Sequence, residues 1–251
     1  MKEKIIYLDY LEQNYEKKIK YLIKDSELQS IDKIKAINYC QKLQVKCLTL
    51  YCKEYPEEFK ILPKPPLVIY YYGNIKLLKT KKLAIIGSRD NTLYGQKALQ
   101  IIINNIHGYT IVSGFAKGVD QLAHQGALTN DLPTIAILGG GFNHIYPKNN
   151  MKLLQQLQEK GLIISEYPPT VVPRPWHFLM RNRLIAALSE KVLVIEANVK
   201  SGSLTTVEVA LDLSKEVYAL PGSIFSKQSK GCNLLIEEGS NILSIDTKFI
   251  V

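Results

Sequence analysis

The sequence predicts an α/β fold: a doubly wound, mostly parallel sheet covered on both faces, preceded by a small helical region. Three observations carry this expectation. From residue 82 onward, short apolar runs alternate with longer amphipathic ones. The short runs are almost continuously apolar, as strands buried on both faces are. Residues 1–46 instead place apolar side chains at helical spacing.

Taken in order, Ile5, Leu8 and Leu11, then Ile19, Leu22 and Ile23, then Ile31, Ile34 and Ile37 mark two or three short helices. The stretch 55–66, YPEEFKILPKPP, reads as an extended connector into the apolar run LVIYYYG. Strands follow at LAIIG (83–87), TIVSG (110–114), TIAILG (134–139), LIISE (162–166), VLVIEA (192–197), VYALPG (217–222) and NILSI (241–245). Helical patterns lie between them near 94–106, 119–129, 149–160, 177–189, 203–214 and 231–238. Residues 1–48 therefore form a small N-terminal helical region and residues 49–251 the α/β domain. Ligands of such sheets bind beyond the carboxyl ends of the strands, at the point where strand order reverses.

Composition narrows the function. The 251 residues are 46% hydrophobic and 22% charged, which excludes wholesale disorder. The net charge of +9 suggests a polyanionic partner. Residues 61–251 carry most of it, with 20 Lys and Arg against 13 acidic residues. No apolar run reaches the roughly 18 residues of a membrane span. The start lacks a signal-peptide pattern, so a cytoplasmic protein is expected. Cys40, Cys47, Cys52 and Cys232 form no CxxC pair and read as reduced thiols. Neither a metal nor a cofactor is expected.

Arginine is rare: Arg89, Arg174, Arg181 and Arg183 stand against 28 lysines. Three of these four fall within ten residues. A planar guanidinium can bind phosphate bidentately and stack on a base, which ammonium cannot.

The loops after the strands are where function is expected. Gly87-Ser88-Arg89 follows the first, with a backbone open to close approach, a hydroxyl and a cation. It contains no GxGxxG, which counts against a dinucleotide site. Ser113-Gly114-Phe115-Ala116-Lys117-Gly118 opens a helix whose amide end suits an anion. His124, one turn inside, reads as a structural hydrogen-bonder. Gly139-Gly140-Gly141 permits either a sharp bend or close approach of a ligand. The stretch 166–183, EYPPTVVPRPWHFLMRNR, interleaves Arg174, Arg181 and Arg183 with Trp176, His177 and Phe178. Aromatic faces that stack bases beside cations that track phosphates are the recurring recipe for single-stranded nucleic acid. Trp176 and Phe178 as core anchors is the competing reading. Ser201-Gly202-Ser203-Leu204-Thr205-Thr206 is another hydroxyl-rich helix start. No nucleophile elbow, Walker A loop or metal cluster assembles.

The order GSR, SGFAKGVDQLAH, LGGGFNHIYPKNN, SEYPP, RNRLIAALS, VLVIEA, SGSLTTVEVAL, YALPGS and SKGCNLLIEEGS resembles the DNA-processing protein A (Smf) family over about residues 50–251. The resemblance implies an extended Rossmann-like fold that binds single-stranded DNA without sequence preference and dimerises. It also implies protection of incoming DNA and loading of the RecA recombinase during natural transformation. The family's DNA pocket maps onto Ser88, Arg89, Lys117, Phe178, Arg181 and Asn182, with Gly87 beside them. Arg174 and Arg183 are added from charge alone. Bases are expected to stack near Phe178 while Arg89, Lys117 and Arg181 neutralise phosphates. Lys117 stands where arginine is common, which keeps the charge and loses the fork. The winged-helix domain that many relatives carry is not expected, because the chain stops where the Rossmann-like pattern ends.

Two alternatives belong to other classes. A nucleoside-monophosphate phosphoribohydrolase would use a Gly/Thr helix start followed by Glu, which Thr205-Thr206-Val207-Glu208 echoes. Its PGG-x-GT loop is absent. The other alternative is a nucleotide sensor that binds without reacting.

Overall fold

The computed structural model describes residues 1–245 and 247. Four helices come first, where two or three were expected: α1 (Lys2–Leu11), α2 (Tyr15–Ile23), α3 (Asp25–Ser30) and α4 (Lys33–Lys42). Asn14 and Asp32 start α2 and α4 by accepting backbone N–H groups of the first turn. Next come β1 (Lys46–Thr49), α5 (Glu57–Lys60), β2 (Val68–Gly73) and β3 (Lys82–Ile86). Strict alternation follows, through α6 (Leu93–Asn104), β4 (Thr110–Ser113), α7 (Val119–Thr129), β5 (Thr134–Leu138), α8 (Met151–Lys160) and β6 (Leu162–Ser165). It continues through α9 (Pro175–Leu188), β7 (Lys191–Val194), α10 (Leu204–Asp212), β8 (Glu216–Ala219), α11 (Lys230–Glu237) and β9 (Asn241–Ile242). The last strand expected, NILSI, pairs over only two residues.

The nine strands of the described residues form one sheet in the order β1-β2-β6-β5-β4-β3-β7-β8-β9. From β6 to β9 every neighbouring pair is parallel. The chain winds outward from β3 through β4, β5 and β6, then returns to the other side of β3 for β7, β8 and β9. Strand order therefore reverses at β3 and β7, which opens a crevice beyond their carboxyl ends. Alternate residues of the central strands feed two cores. Leu83, Ile85, Ile111 and Leu193 pack with α6 and α7 residues, and Ala84, Ile86, Val112 and Val194 pack with α9 and α10 residues.

The antiparallel edge was not expected. β2 pairs antiparallel with β6, and β1 with β2, in the register Lys46–Tyr71 to Thr49–Val68. The boundary expected between residues 48 and 49 thus falls inside a sheet strand. The N-terminal helices close over β2 through Ile5, Ile6, Leu8, Val45, Val68 and the fully buried Tyr70. A buried charge pair fastens them: Lys18 Nζ lies 2.6 Å from Asp9 Oδ1, and Tyr70 donates to Asp9 Oδ2 at 3.0 Å. Burial raises the Asp9 carboxyl above its ordinary range, and Lys18 opposes the shift. No helix of the described residues is long and apolar enough to cross a membrane.

His124 is structural, as expected. The Thr134 hydroxyl donates to Ile111 O at 2.9 Å, so His124 Nδ1–H donates to the Thr134 oxygen at 2.7 Å. Nε2 is buried without a hydrogen-bond partner among the described residues. Burial, helped by the nearby Arg181 cation, pushes the imidazole pKa from 6.5 down to about 3. The unfolded chain protonates this ring below pH 6.5 and the folded one does not, so its stabilising contribution holds above pH 6.5 and is lost as pH falls toward 3. Urea melts between pH 7 and 5 should show stability falling by up to about 1.4 kcal/mol per pH unit from this residue. His124→Asn should remove that component of the slope.

Candidate nucleic-acid interface

The crevice at the strand-order reversal is a cleft of about 550 Å³. The loops after β3, β4 and β7 form three of its sides, and α9 forms the fourth. It gathers seven of the nine residues singled out from the sequence: Gly87, Ser88, Arg89, Lys117, Phe178, Arg181 and Asn182. Arg174 and Arg183 lie elsewhere, on a second cleft across α9.

Their accessibility divides the seven. Arg89 and Lys117 are exposed, and neither pairs with a carboxylate among the described residues. The Arg89 guanidinium sits over the half-buried Phe178 ring, 5.7 Å from its centroid. These three groups line the open cleft.

Arg181 is buried instead, which sets it apart from its expected role as a phosphate contact. It is 3% exposed at the cleft floor, where Nη1 donates to the carbonyls of Gly114 and Ile137. Nε donates to Asn182 Oδ1 at 3.2 Å. Burial lowers its pKa to about 10, opposed by the Asp120 carboxylate, so the group stays cationic at neutral pH. Burial raises the Asp120 pKa, and Arg181 is the largest opposing influence. Arg181 is thus a positioning residue that ties α9 to the ends of β4 and β5. Gly114 permits this, because a Cβ there would collide with the guanidinium.

Asn182 and Ser88 are positioning groups too. The Asn182 amide donates to Gly202 O and to Thr205 Oγ1, each at 2.9 Å, holding the start of α10. Ser88 donates to Gln228 Oε1 at 3.2 Å and accepts from Asp90 N at 3.0 Å. A Cβ on Gly87 would stand 2.7 Å from Val119 Cγ2, so this glycine lets α7 close on the β3 loop.

Among the described residues no side chain caps the amide end of α7: Val119 N donates to Ser88 O at 3.1 Å, and Asp120 instead accepts from Ala116 N, in the loop before the helix, at 3.2 Å. The glycine triplet also serves internal packing: a Cβ on Gly139 would lie 2.6 Å from Phe178 Cδ1. Of the competing readings for the aromatic pair, Phe178 is wedged against Gly139 yet lines the cleft, whereas Trp176 is 52% exposed. His177 is buried, stacked on Tyr167 at 4.3 Å, and accepts from Arg174 N, which starts α9.

Sequence reasoning missed the anchor of the β3 loop. Glu196 is 1% exposed and accepts from Thr92 N at 2.7 Å and from Thr92 Oγ1 at 2.6 Å. An acid ending the apolar strand VLVIEA is the signal that could have found it. Gln228 carries no such signal, because only folding brings it to Ser88.

These roles separate by stability. Arg181→Met should cost about 3 kcal/mol in urea melts, through lost charge-assisted hydrogen bonds. Arg89→Ala and Lys117→Ala should stay within about 0.5 kcal/mol of the parent chain.

Comparison with known proteins follows the same outline. The profile of a family described as DNA recombination-mediator protein A matches residues 46–250, from β1 onward. DNA processing protein DprA of Bacillus subtilis is 38% identical over 202 residues, which span 79% of this chain and 68% of that protein. The crystal structure of DNA processing protein A from Streptococcus pneumoniae superposes with a TM-score of 0.81 at 37% identity, covering 87% of this chain and 77% of that one. DNA processing protein A from Helicobacter pylori, described for its single-stranded DNA binding mode, gives 0.75 at 37% identity over 83% of this chain and 95% of that one. With this matched span, this order of strands and this identity, the chain belongs to the DNA recombination-mediator protein A family.

Proposed function

We propose that this chain binds single-stranded DNA, without sequence preference, in the cleft beyond β3, β4 and β7, and that it acts by binding rather than by catalysis. The observation that carries the reading is the combination of two exposed cations that pair with no carboxylate among the described residues, Arg89 and Lys117, with the accessible Phe178 ring in one cleft. Phosphates would lie on Arg89 and Lys117 while a base stacks on Phe178. Arg181 and Asn182 would hold that surface in shape without touching the strand. The H. pylori relative, whose structure is described for its single-stranded DNA binding mode, supports the ligand class.

In the fuller form of this reading, the bound strand is protected and passed to the RecA recombinase by a homodimer during natural transformation. Sedimentation equilibrium and a RecA-loading assay on coated single strands test those two steps. The phosphoribohydrolase alternative needs Glu208 at the reacting centre. That residue is exposed on α10 and does not line the cleft.

The binding reading predicts a salt dependence. Affinity for labelled oligo-dT, followed by fluorescence anisotropy, should fall with salt at a log–log slope of about −0.7 per neutralised phosphate. Arg89→Ala and Lys117→Ala should each flatten that slope by about 0.7. Phe178→Ala should weaken binding by about 1–3 kcal/mol at constant slope. Unchanged affinity and slope in all three variants would remove the cleft from consideration.

A further inference from the structure

A second cleft of about 520 Å³ lies on the other side of α9. One helix thus walls both: Phe178, Leu179, Arg181 and Asn182 face the first cleft, and Trp176, His177, Met180 and Arg183 face the second. The crest between them is apolar and open, with Trp176 52%, Leu179 51% and Met180 38% exposed. An apolar crest with a cleft on each side is an unusual surface to leave in water.

The second cleft has the chemistry of the first. Four cations, Lys18, Lys64, Arg174 and Arg183, line it with a single carboxylate, Glu166. Lys18 is paired with Asp9 and Arg183 with Glu166, while Lys64 sits 3.0 Å from Glu16 at the rim. Arg174 is exposed and pairs with no carboxylate among the described residues. Trp176 stands edge-on to His177, at 3.9 Å and 79°, so it does not join the His177–Tyr167 stack. At the floor Arg183 keeps Nε and Nη1, and Glu166 keeps Oε1, buried without hydrogen-bond partners among the described residues.

The far wall comes from the N-terminal helical region, through Gln13 in the loop before α2 and Tyr15 and Lys18 on it. These residues precede the stretch 46–250 that matches the family. The subsite is therefore built jointly by the shared domain and by a part of this chain outside the match.

We propose that a single strand held in the first cleft continues over the crest of α9 and places a further base against Trp176 in the second, with its phosphate on Arg174. This inference rests on the single-stranded DNA reading above. The crest is one helix wide, about 10 Å, a span an extended strand crosses in a few nucleotides.

The chain contains one tryptophan, Trp176, so its emission reports on this cleft. The full chain is titrated with oligo-dT of about 4 to about 16 nucleotides, while anisotropy of the labelled oligonucleotide is followed in parallel. Every length should bind, with Trp176 quenching appearing only as the strand lengthens. Trp176→Ala should weaken the longer oligonucleotides by about 5- to 100-fold and leave the shortest unchanged. Tyr15→Ala, on the opposite wall, should weaken the same long oligonucleotides. Normal binding at every length, with unquenched emission and no effect of Trp176→Ala, would overturn this inference and leave the first cleft standing. Quenching by dTMP alone, or equally at all lengths, would replace the continuous path with a small-nucleotide pocket. Failure of every oligonucleotide to bind would end both readings.

Discussion

One buried guanidinium organises the working face of this domain. Arg181 lies beneath the cleft, with its Nη1 on the carbonyls of Gly114 and Ile137 and its Nε on the Asn182 side chain. Those carbonyls belong to the ends of β4 and β5, where parallel strands leave acceptors without ladder partners. The two hydrogens of Nη1 serve both carbonyls, and the charge strengthens each bond. Burying that charge is costly, and the Asp120 carboxylate and the ring of hydrogen bonds offset the cost. The middle of α9 is thereby locked to the sheet, and Phe178 and Leu179, within one turn of Arg181, inherit fixed positions.

The four arginines then divide by depth. Arg181 and Arg183 are buried or nearly so and are held by carbonyls or by Glu166. Arg89 and Arg174 are exposed, one at each cleft. Each cleft thus has one largely buried cation with partners of its own and one exposed cation. The arrangement suits a polyanion, since a mobile exposed cation can follow a backbone while the rigid one keeps the aromatic platform in place.

The antiparallel edge explains why the N-terminal helices belong to the same body. β1 and β2 extend the sheet past β6, and the helices cover Tyr70 on the added strand. The Asp9–Lys18 pair sits in that contact with the Tyr70 hydroxyl as its third member. Without β2 these helices would have no apolar surface to close on, and the second cleft would lack a wall.

The sequence by itself determined the alternating α/β pattern, the parallel central strands and the loops that would meet at their ends. Near-continuous apolar runs can be buried only between two helical layers, and the site must then lie beyond the strand ends. It also marked Gly87, Ser88, Arg89, Lys117, Phe178, Arg181 and Asn182, which the fold gathers into one cleft. Tertiary structure alone decided which of them a ligand can reach. Arg89 and Arg181 are the same residue type, and only the carbonyls of Gly114 and Ile137, distant in sequence, draw one of them inside. Tertiary structure also decided the antiparallel edge, since the partner of β2, β6, lies some ninety residues onward and pairing across that separation leaves no local periodicity to read. The separation of Arg174 and Arg183 from the other cations has the same origin. Positions a few residues apart on one helix point to opposite sides of it, and what stands on each side is settled by the rest of the chain.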